Sequence, residues 1–414
     1  MDLATRRRRT ALFLFFLMPG LSISSWVTRT PDIRDQLGAS TAQMGVVLFG
    51  LSIGSMLGIL GSGALVARFG TRPVMAAGTV LVILGTAAIA GGSLAPSAPA
   101  VMAGLFLFGA GMGGSEVAVN IEGAEVERIT GRPVLPTLHG FFSLGTVVGA
   151  LLGILCTAVG FPVHWHLGVI AVVTAVMFVR ALRAIPHGVG RTRDDEQARD
   201  GGEPESTAVW RDRRLLLIGG IVLTMALAEG AANDWLPLLM VDGHDMDPAL
   251  GSAVYAGFAA AMAVGRFGGG FFIDRFGRVP VVRASAISAA LGLSVVIFAD
   301  SPLLAGAAVL LWGLGASLGF PLALSAAGDS GPNSAARVSL VAMIGYVAFL
   351  VGPPGLGFLG DHYGLRAAMT VVLVCVAVAV FLAPAADTQR ATLRRSLPDQ
   401  QRASMDESCG TPRH

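Results

Sequence analysis

Apolar stretches of about 20 residues alternate along this chain with short polar breaks, and about 20 residues is the length at which a helix crosses the hydrocarbon core of a bilayer. Six such stretches fall at 10–30, 41–66, 73–92, 99–121, 134–159 and 165–184, and six more at 214–241, 249–273, 280–299, 302–328, 337–360 and 364–384. Between the two sets lies 185–213, whose DDEQARDGGEPES core carries charge without apolar periodicity and reads as a flexible cytoplasmic linker. On the same grounds 385–414 reads as a disordered cytoplasmic tail. The pattern predicts an all-α membrane protein of twelve transmembrane helices in two six-helix bundles, 1–184 and 214–384. Arg6 to Arg9 ahead of the first apolar run resemble the start of a signal peptide, but the run exceeds a 7–15 residue apolar region and lacks a small-residue exit, so it is expected to be the first span.

Composition sharpens this picture. The chain is 53% hydrophobic and 14% charged, with a mean hydropathy of +0.69, too little charge to cover a soluble surface. Its 55 glycines suit helices that approach closely in lipid. All 29 basic residues are Arg. With the N-terminus inside, 25 fall on cytoplasmic ends, loops, linker and tail, while Arg29, Arg34 and Arg366 fall outside and Arg266 lies within a span. Both termini are therefore expected in the cytoplasm. Cys156, Cys375 and Cys409 are scattered, with no disulfide framework or metal spacing.

Polar residues inside spans are the candidate chemistry. GAGMGGSEVAVNIEGAEVERITGR, Gly109 to Arg132, sets a carboxylate and an amide in an apolar run. Gly109, Gly113, Glu116 and Asn120 fall within about 60° of one another on a helix, with Gly111, Gly114 and Ala118 opposite. That predicts one face open to a cavity and the other packed through small residues. An ionisable group in a span carries an insertion cost of roughly 2.5–3.5 kcal/mol, which marks Glu116 as functional, against the alternative of a polar pair joining helices. Glu229 and Asn233 on the seventh span repeat the spacing. Trp26 and Trp235 occupy similar places in the two halves and, with Trp312, offer faces for a substrate ring or act as interface anchors. Arg29 and Asp234 lie at similar depth and are expected to pair as an outer gate. Arg266 is expected to snorkel toward the cytoplasmic boundary, His139 to be a structural histidine hydrogen-bonded near a helix start, against the alternative of a proton shuttle, and Gly352 to Gly355 (GPPG) to kink the eleventh span.

The halves also repeat: RFGTRPVM at Arg68 to Met75 and RFGRVPVV at Arg275 to Val282 lie 207 residues apart, each after the second span of its half. With these residues the chain resembles a major facilitator superfamily transporter, whose loop signature is G-x-L-x-D-R-x-G-R-R. Gly270, Asp274, Arg275, Gly277 and Arg278 match it in the second half. Gly63, Leu65, Arg68, Gly70 and Arg72 match it in the first, where Ala67 replaces the usual aspartate. The resemblance implies that Arg68, Arg72, Asp274, Arg275 and Arg278 gate the cytoplasmic side, with the first-half loop locking more weakly than the second. SEVAVN in the fourth span resembles the E-x-A-x-N element of the fucose permease-like sugar:proton symporters, which places Glu116 at their protonatable carboxylate. Val27 stands where fucose permease carries a second carboxylate.

Together these features predict a secondary active transporter moving a small solute by alternating access, proton-coupled, with Glu116 and Glu229 for protons and Asn120, Asn233 and the three tryptophans for substrate. Symport of a sugar-like solute is one form. Proton-driven efflux of an amphipathic compound is the second, and a non-transporting sensor or scaffold the third. No catalytic residue, cofactor or metal is expected: the sequence has no nucleophile motif or metal spacing, and GRFGGGF at Gly265 to Phe271 lies inside an apolar helix rather than after a strand. The expected partners are solute, protons and the bilayer of the cytoplasmic membrane, with no nucleic acid, and the expected state is a monomer.

Overall fold

A computed structural model describes residues 3–130, 134–191, 210–331 and 334–387. The helices are α1 (Leu3–Val27), α2 (Thr30–Leu37), α3 (Thr41–Phe69), α4 (Thr71–Leu94), α5 (Ala98–Thr130), α6 (Leu135–Ala158) and α7 (Val163–Leu182) in the first half. In the second they are α8 (Arg213–His244), α9 (Pro248–Phe276), α10 (Arg278–Phe298), α11 (Pro302–Asp329), α12 (Ser334–Tyr363) and α13 (Leu365–Leu382). All but the short α2 are long and apolar enough to cross a membrane, which gives twelve spans among the described residues. Leu57, Leu151, Val172, Phe298, Leu303 and Phe381 stay exposed on the outside, as side chains facing lipid must.

Helix ends depart from the apolar pattern where polar helix formers carry a helix beyond the membrane. α1 begins at Leu3 and includes the arginine run, and α5 continues to Thr130 through a segment rich in Glu. The sequence pattern missed α2. Pro31 opens this helix and Gly38 closes it in the left-handed region at φ 59°, so eight residues too polar to span still form two turns.

Glycines bring the first bundle together on two sides of α5, not one. A Cβ on Gly54 would fall 2.1 Å from the Phe106 carbonyl oxygen, and one on Gly109 would fall 2.2 Å from that of Leu51, which locks α3 to α5. Gly111 meets the Gly78 carbonyl on α4 in the same way, at 2.3 Å. Gly109 and Gly113, expected on the open face, therefore pack against α3, and α5 has three faces: one to α3, one to α4 and a narrow polar one.

The two halves meet most closely at the end remote from the RFG loops. Gly45 on α3 abuts Pro353 and Gly357 of the GPPG region, where an added Cβ would lie 2.8 Å from the Pro353 carbonyl oxygen. Ser252 Oγ donates to the Thr28 carbonyl (2.7 Å), Ala42 N donates to Asp361 Oδ1 (3.3 Å), and Arg34 on α2 pairs with Asp242 on α8. Toward the RFG loops α6 and α9 stay in contact at Gly140 and Phe267, while a cleft of about 260 Å³ parts Ile59, Leu60 and Val117 on one side from Ser339, Met343 and Tyr346 on the other. The molecule is sealed at one end and parted at the other.

Residues 185–191, expected to begin a flexible linker, are docked. Ile185 is buried, Thr71 N donates to the Val189 carbonyl (2.8 Å), and Arg72 Nη1 lies 2.9 Å from His187 Nδ1. Ala383–Ala386 likewise form a 3-10 turn whose end is buried, with the Ala385 carbonyl accepting from Arg214 Nε at 3.0 Å. The remainder of the expected linker, 192–209, and of the tail, 388–414, lies outside the described residues.

Candidate functional site

Where the cleft deepens, charges from both halves converge. Arg266 on α9 does not snorkel to the boundary: its Nη2 donates to Glu229 Oε1 on α8 at 2.9 Å, and the two side chains are 36% and 19% exposed. Glu116, on the narrow polar face of α5, is exposed and interacts electrostatically with both Arg266 and Glu229. One guanidinium thus stands before two carboxylates, one from each half. Tyr346 on α12 interacts with Glu116, and His139 on α6 with Arg266. His139, in the second turn of α6, is exposed and edge-on to Phe16, with ring centroids 4.9 Å apart.

The amides flank the charges. Asn120, one turn beyond Glu116, is half-buried. Asn233, one turn beyond Glu229, accepts from Tyr255 Oη at 3.3 Å, and Tyr255 in turn interacts with Glu229 and Asp234. The two Glu/Asn pairs that share a spacing in sequence thus come together through Glu116 and Glu229 at one charge cluster. Sequence reasoning did not single out Tyr255 and Tyr346; the available signal was that two of the chain's three tyrosines lie within spans.

The three tryptophans do not line the cleft. Trp26, Trp235 and Trp312 are 1%, 0% and 0% exposed, with Trp26 edge-on to Phe108 and Trp312 edge-on to Phe258. They lie in the packed interior, Trp235 against Gly357 at the sealed end, where their large apolar area is worth most when water is excluded.

The expected outer pair of Arg29 and Asp234 does not form. Arg29 reaches Asp32 three residues on (2.9 Å) and donates to the Phe161 carbonyl (2.6 Å), a local pairing that ties α2 to the turn before α7. Arg34 and Asp242 make the cross-half pair instead.

At the parted end the loop arginines have partners within their own half. Arg68 lies over Phe69 and Arg275 over Phe276, at 5.2 and 5.8 Å from the ring centroids, and Asp274 is exposed. Arg278 pairs with Asp329 (2.6 Å) and donates to Ser325 Oγ (3.1 Å). The first-half loop, lacking the usual aspartate at Ala67, is held by Glu122 at the end of α5. Glu122 is fully buried and accepts from Thr71 Oγ1 (2.7 Å) and from Arg8 of α1 (2.7 Å).

Comparison with known proteins gives one answer at every level. A sequence model described as the Major Facilitator Superfamily matches residues 10–339 and 223–403. An uncharacterised MFS-type transporter of Yersinia pestis is 31% identical over 369 residues, 88% of this chain and 91% of its own. Among solved structures, a variant of the nucleoside transporter NupG superposes with a TM-score of 0.74 at 14% identity, over 93% of this chain and 100% of that one. A variant of the Escherichia coli fucose:proton symporter FucP does so with a TM-score of 0.64 at 18% identity, over 92% and 98%. For these two structures the likeness is one of fold.

Proposed function

The chain belongs to the major facilitator superfamily and is a multi-pass secondary transporter, and from that premise we propose that it couples the movement of a small polar, sugar-like solute to protons at the Glu116–Arg266–Glu229 cluster. The observation that carries this reading is the charge count. Arg266 neutralises one carboxylate, and the second is balanced only when a proton joins the cluster, so the site passes between a neutral and a singly negative state by binding one proton. Asn120, Asn233 and Tyr346 supply donors and acceptors for hydroxyl groups beside the charges.

The arginine bias assigns the RFG loops and both termini to the cytoplasm, so the conformation described is open inward, with the halves 1–184 and 214–384 rocking about the cluster. Among the described residues Arg68 and Arg275 lie over Phe69 and Phe276 of their own halves, and Arg72 lies beside His187, docked on its own half. Their cross-half pairing belongs to the opposite, outward-open state. A monomer in the cytoplasmic membrane, needing no cofactor, suffices for this cycle.

A second reading, proton-driven export of an amphipathic compound, draws on the apolar walls that Ile59, Leu60 and Met343 give the cleft. A thermal-stabilisation panel of sugars against hydrophobic cations separates the two readings, since a ligand at 100 times its Kd adds about 2.7 kcal/mol. With the solute so identified, Glu116→Gln in proteoliposomes should preserve solute exchange and abolish accumulation driven by an imposed pH gradient. Accumulation by the Gln variant at the wild-type level would remove Glu116 from the coupling role.

A further inference from the structure

Five residues beyond Glu229 on α8, toward the sealed end, Asp234 is buried, with 7% of its surface exposed. Among the described residues no cation pairs with it and no donor is hydrogen-bonded to it. The neighbouring helices explain why. α11 has no charged residue from Pro302 to Gly328, and α1 has none after Arg9. Arg34 of α2 is taken by Asp35 and Asp242, and Arg366 of α13 by the carbonyls of Ile297 and Ala299. On α12, Arg337 lies near one end and Asp361 and His362 near the other, with Tyr346 at the Glu116 cluster. On α9 the titratable neighbour is Tyr255, which interacts with Asp234 and Glu229 and so stands between the buried carboxyl and the charge cluster, while Arg266 is held by Glu229.

An isolated carboxylate is costly to bury without a cation, and Asp234 directly precedes Trp235, whose ring packs beside Gly357 where Gly45 of the other half is seated. Parting Gly45 from Gly357 would uncover this end of α8 from the sealed side. Resting on the proton-coupled reading above, we propose that Asp234 is a second proton-binding site, filled from the outer side, and that the outer end seals only over its neutral form. Sealing then takes one proton from hydronium onto the carboxylate, and opening in low-proton water returns it.

The test is conformational and needs no solute. In the full-length protein, with Cys156, Cys375 and Cys409 replaced by Ser, spin labels at Ala95 and Leu303, exposed at the outer ends of α4 and α11, report opening by pulsed electron resonance. From about pH 5 to about pH 9 the ratio of open to sealed molecules should rise, by up to tenfold per pH unit where one proton is linked. Asp234→Asn, neutral and of the same shape, should stay sealed and lose that one-proton slope, and Asp234→Glu should keep it. A wild-type slope in Asp234→Asn, or a flat wild-type ratio, overturns the proposal. The uptake assay on Glu116→Gln decides proton coupling separately, so a failure at Asp234 with coupling intact at Glu116 is recognisable as such.

Discussion

Arg266→Gln is the sharpest probe of the charge cluster. The substitution removes the cation from a contact of 2.9 Å and leaves Glu229 and Glu116 facing each other. Charges about 4 Å apart attract by about 4 kcal/mol at an effective dielectric of 20 and by about 1 kcal/mol in water. Arg266 is 36% exposed and Glu229 19%, so the pair sits between those limits, and a loss of about 2 kcal/mol is expected. For a bundle of this size that corresponds to a fall in Tm of roughly 4–8 °C. The assay is thermal unfolding of the full chain in detergent, followed by tryptophan fluorescence and arranged as a double-mutant cycle with Glu229→Gln. If the guanidinium serves to hold carboxylates, the double variant recovers at least half of the loss, because the neutral amide no longer needs a cation. Shifts that simply add, with a coupling below about 0.5 kcal/mol, would refute the assignment and return Arg266 to a packing role.

Three other perturbations test the surrounding structure. Gly45→Val sets a branched side chain where a Cβ alone meets the Pro353 carbonyl at 2.8 Å and Gly357 Cα at 3.1 Å, so it should hold the outer end open; an Ala95–Leu303 label distance equal to wild type would count against this. Glu122→Leu strands the buried Arg8 and should destabilise the protein by about 3–5 kcal/mol, more than Arg266→Gln, with Arg8→Met restoring part of it in the same melting assay. Asp212, ahead of α8, is partly buried, which alone would raise its pKa, but Arg337 and the backbone N–H groups of Leu215 and Arg214 hold it below the usual carboxylate range. A lowered folded pKa stabilises above the unfolded value of about 3.9 and ceases to do so as the pH falls through the folded one. Asp212→Asn should therefore lower the melting temperature at neutral pH and match wild type in strong acid, and an equal deficit at both would exclude the ion pair as its source.

The spans were legible because a bilayer imposes one length and one polarity on every helix that crosses it. α2 was not, since TPDIRDQL is neither apolar nor long and its two turns depend on Pro31 and Gly38 at the ends. Glu116 and Glu229 were visible as rare carboxylates in apolar runs. Their common partner was not, because Arg266 lies on a third helix 37 residues from Glu229 and only packing brings it there. The failure of Arg29 to reach Asp234 has a plain cause: a partner three residues away and a loop carbonyl satisfy it locally. The tryptophans misled for a different reason. Trp235 packs beside Gly357 at the end where the halves close, so the rings are buried against neighbours instead of standing free.

The internal repeat separates scaffold from site. Gly70 and Gly277, 207 residues apart, take φ of 85° and 79°, a region that favours glycine, and each starts a helix directly after the second span of its half. The residue after each glycine is bonded to an acidic residue at the end of the fourth span of its half, Thr71 to Glu122 and Arg278 to Asp329, and those two acids are again 207 residues apart. The charges of the cluster do not repeat. The same offset carries Glu229 back to Ser22, which is buried and hydrogen-bonded to Thr174 at 3.3 Å, carries Arg266 back to Ile59, and carries Glu116 forward to Ala323. Two matching scaffolds give each half the same loop geometry. The Arg266–Glu229 ion pair therefore belongs to one half alone, and with Glu116 of the other half it forms a single charge cluster rather than two symmetric ones.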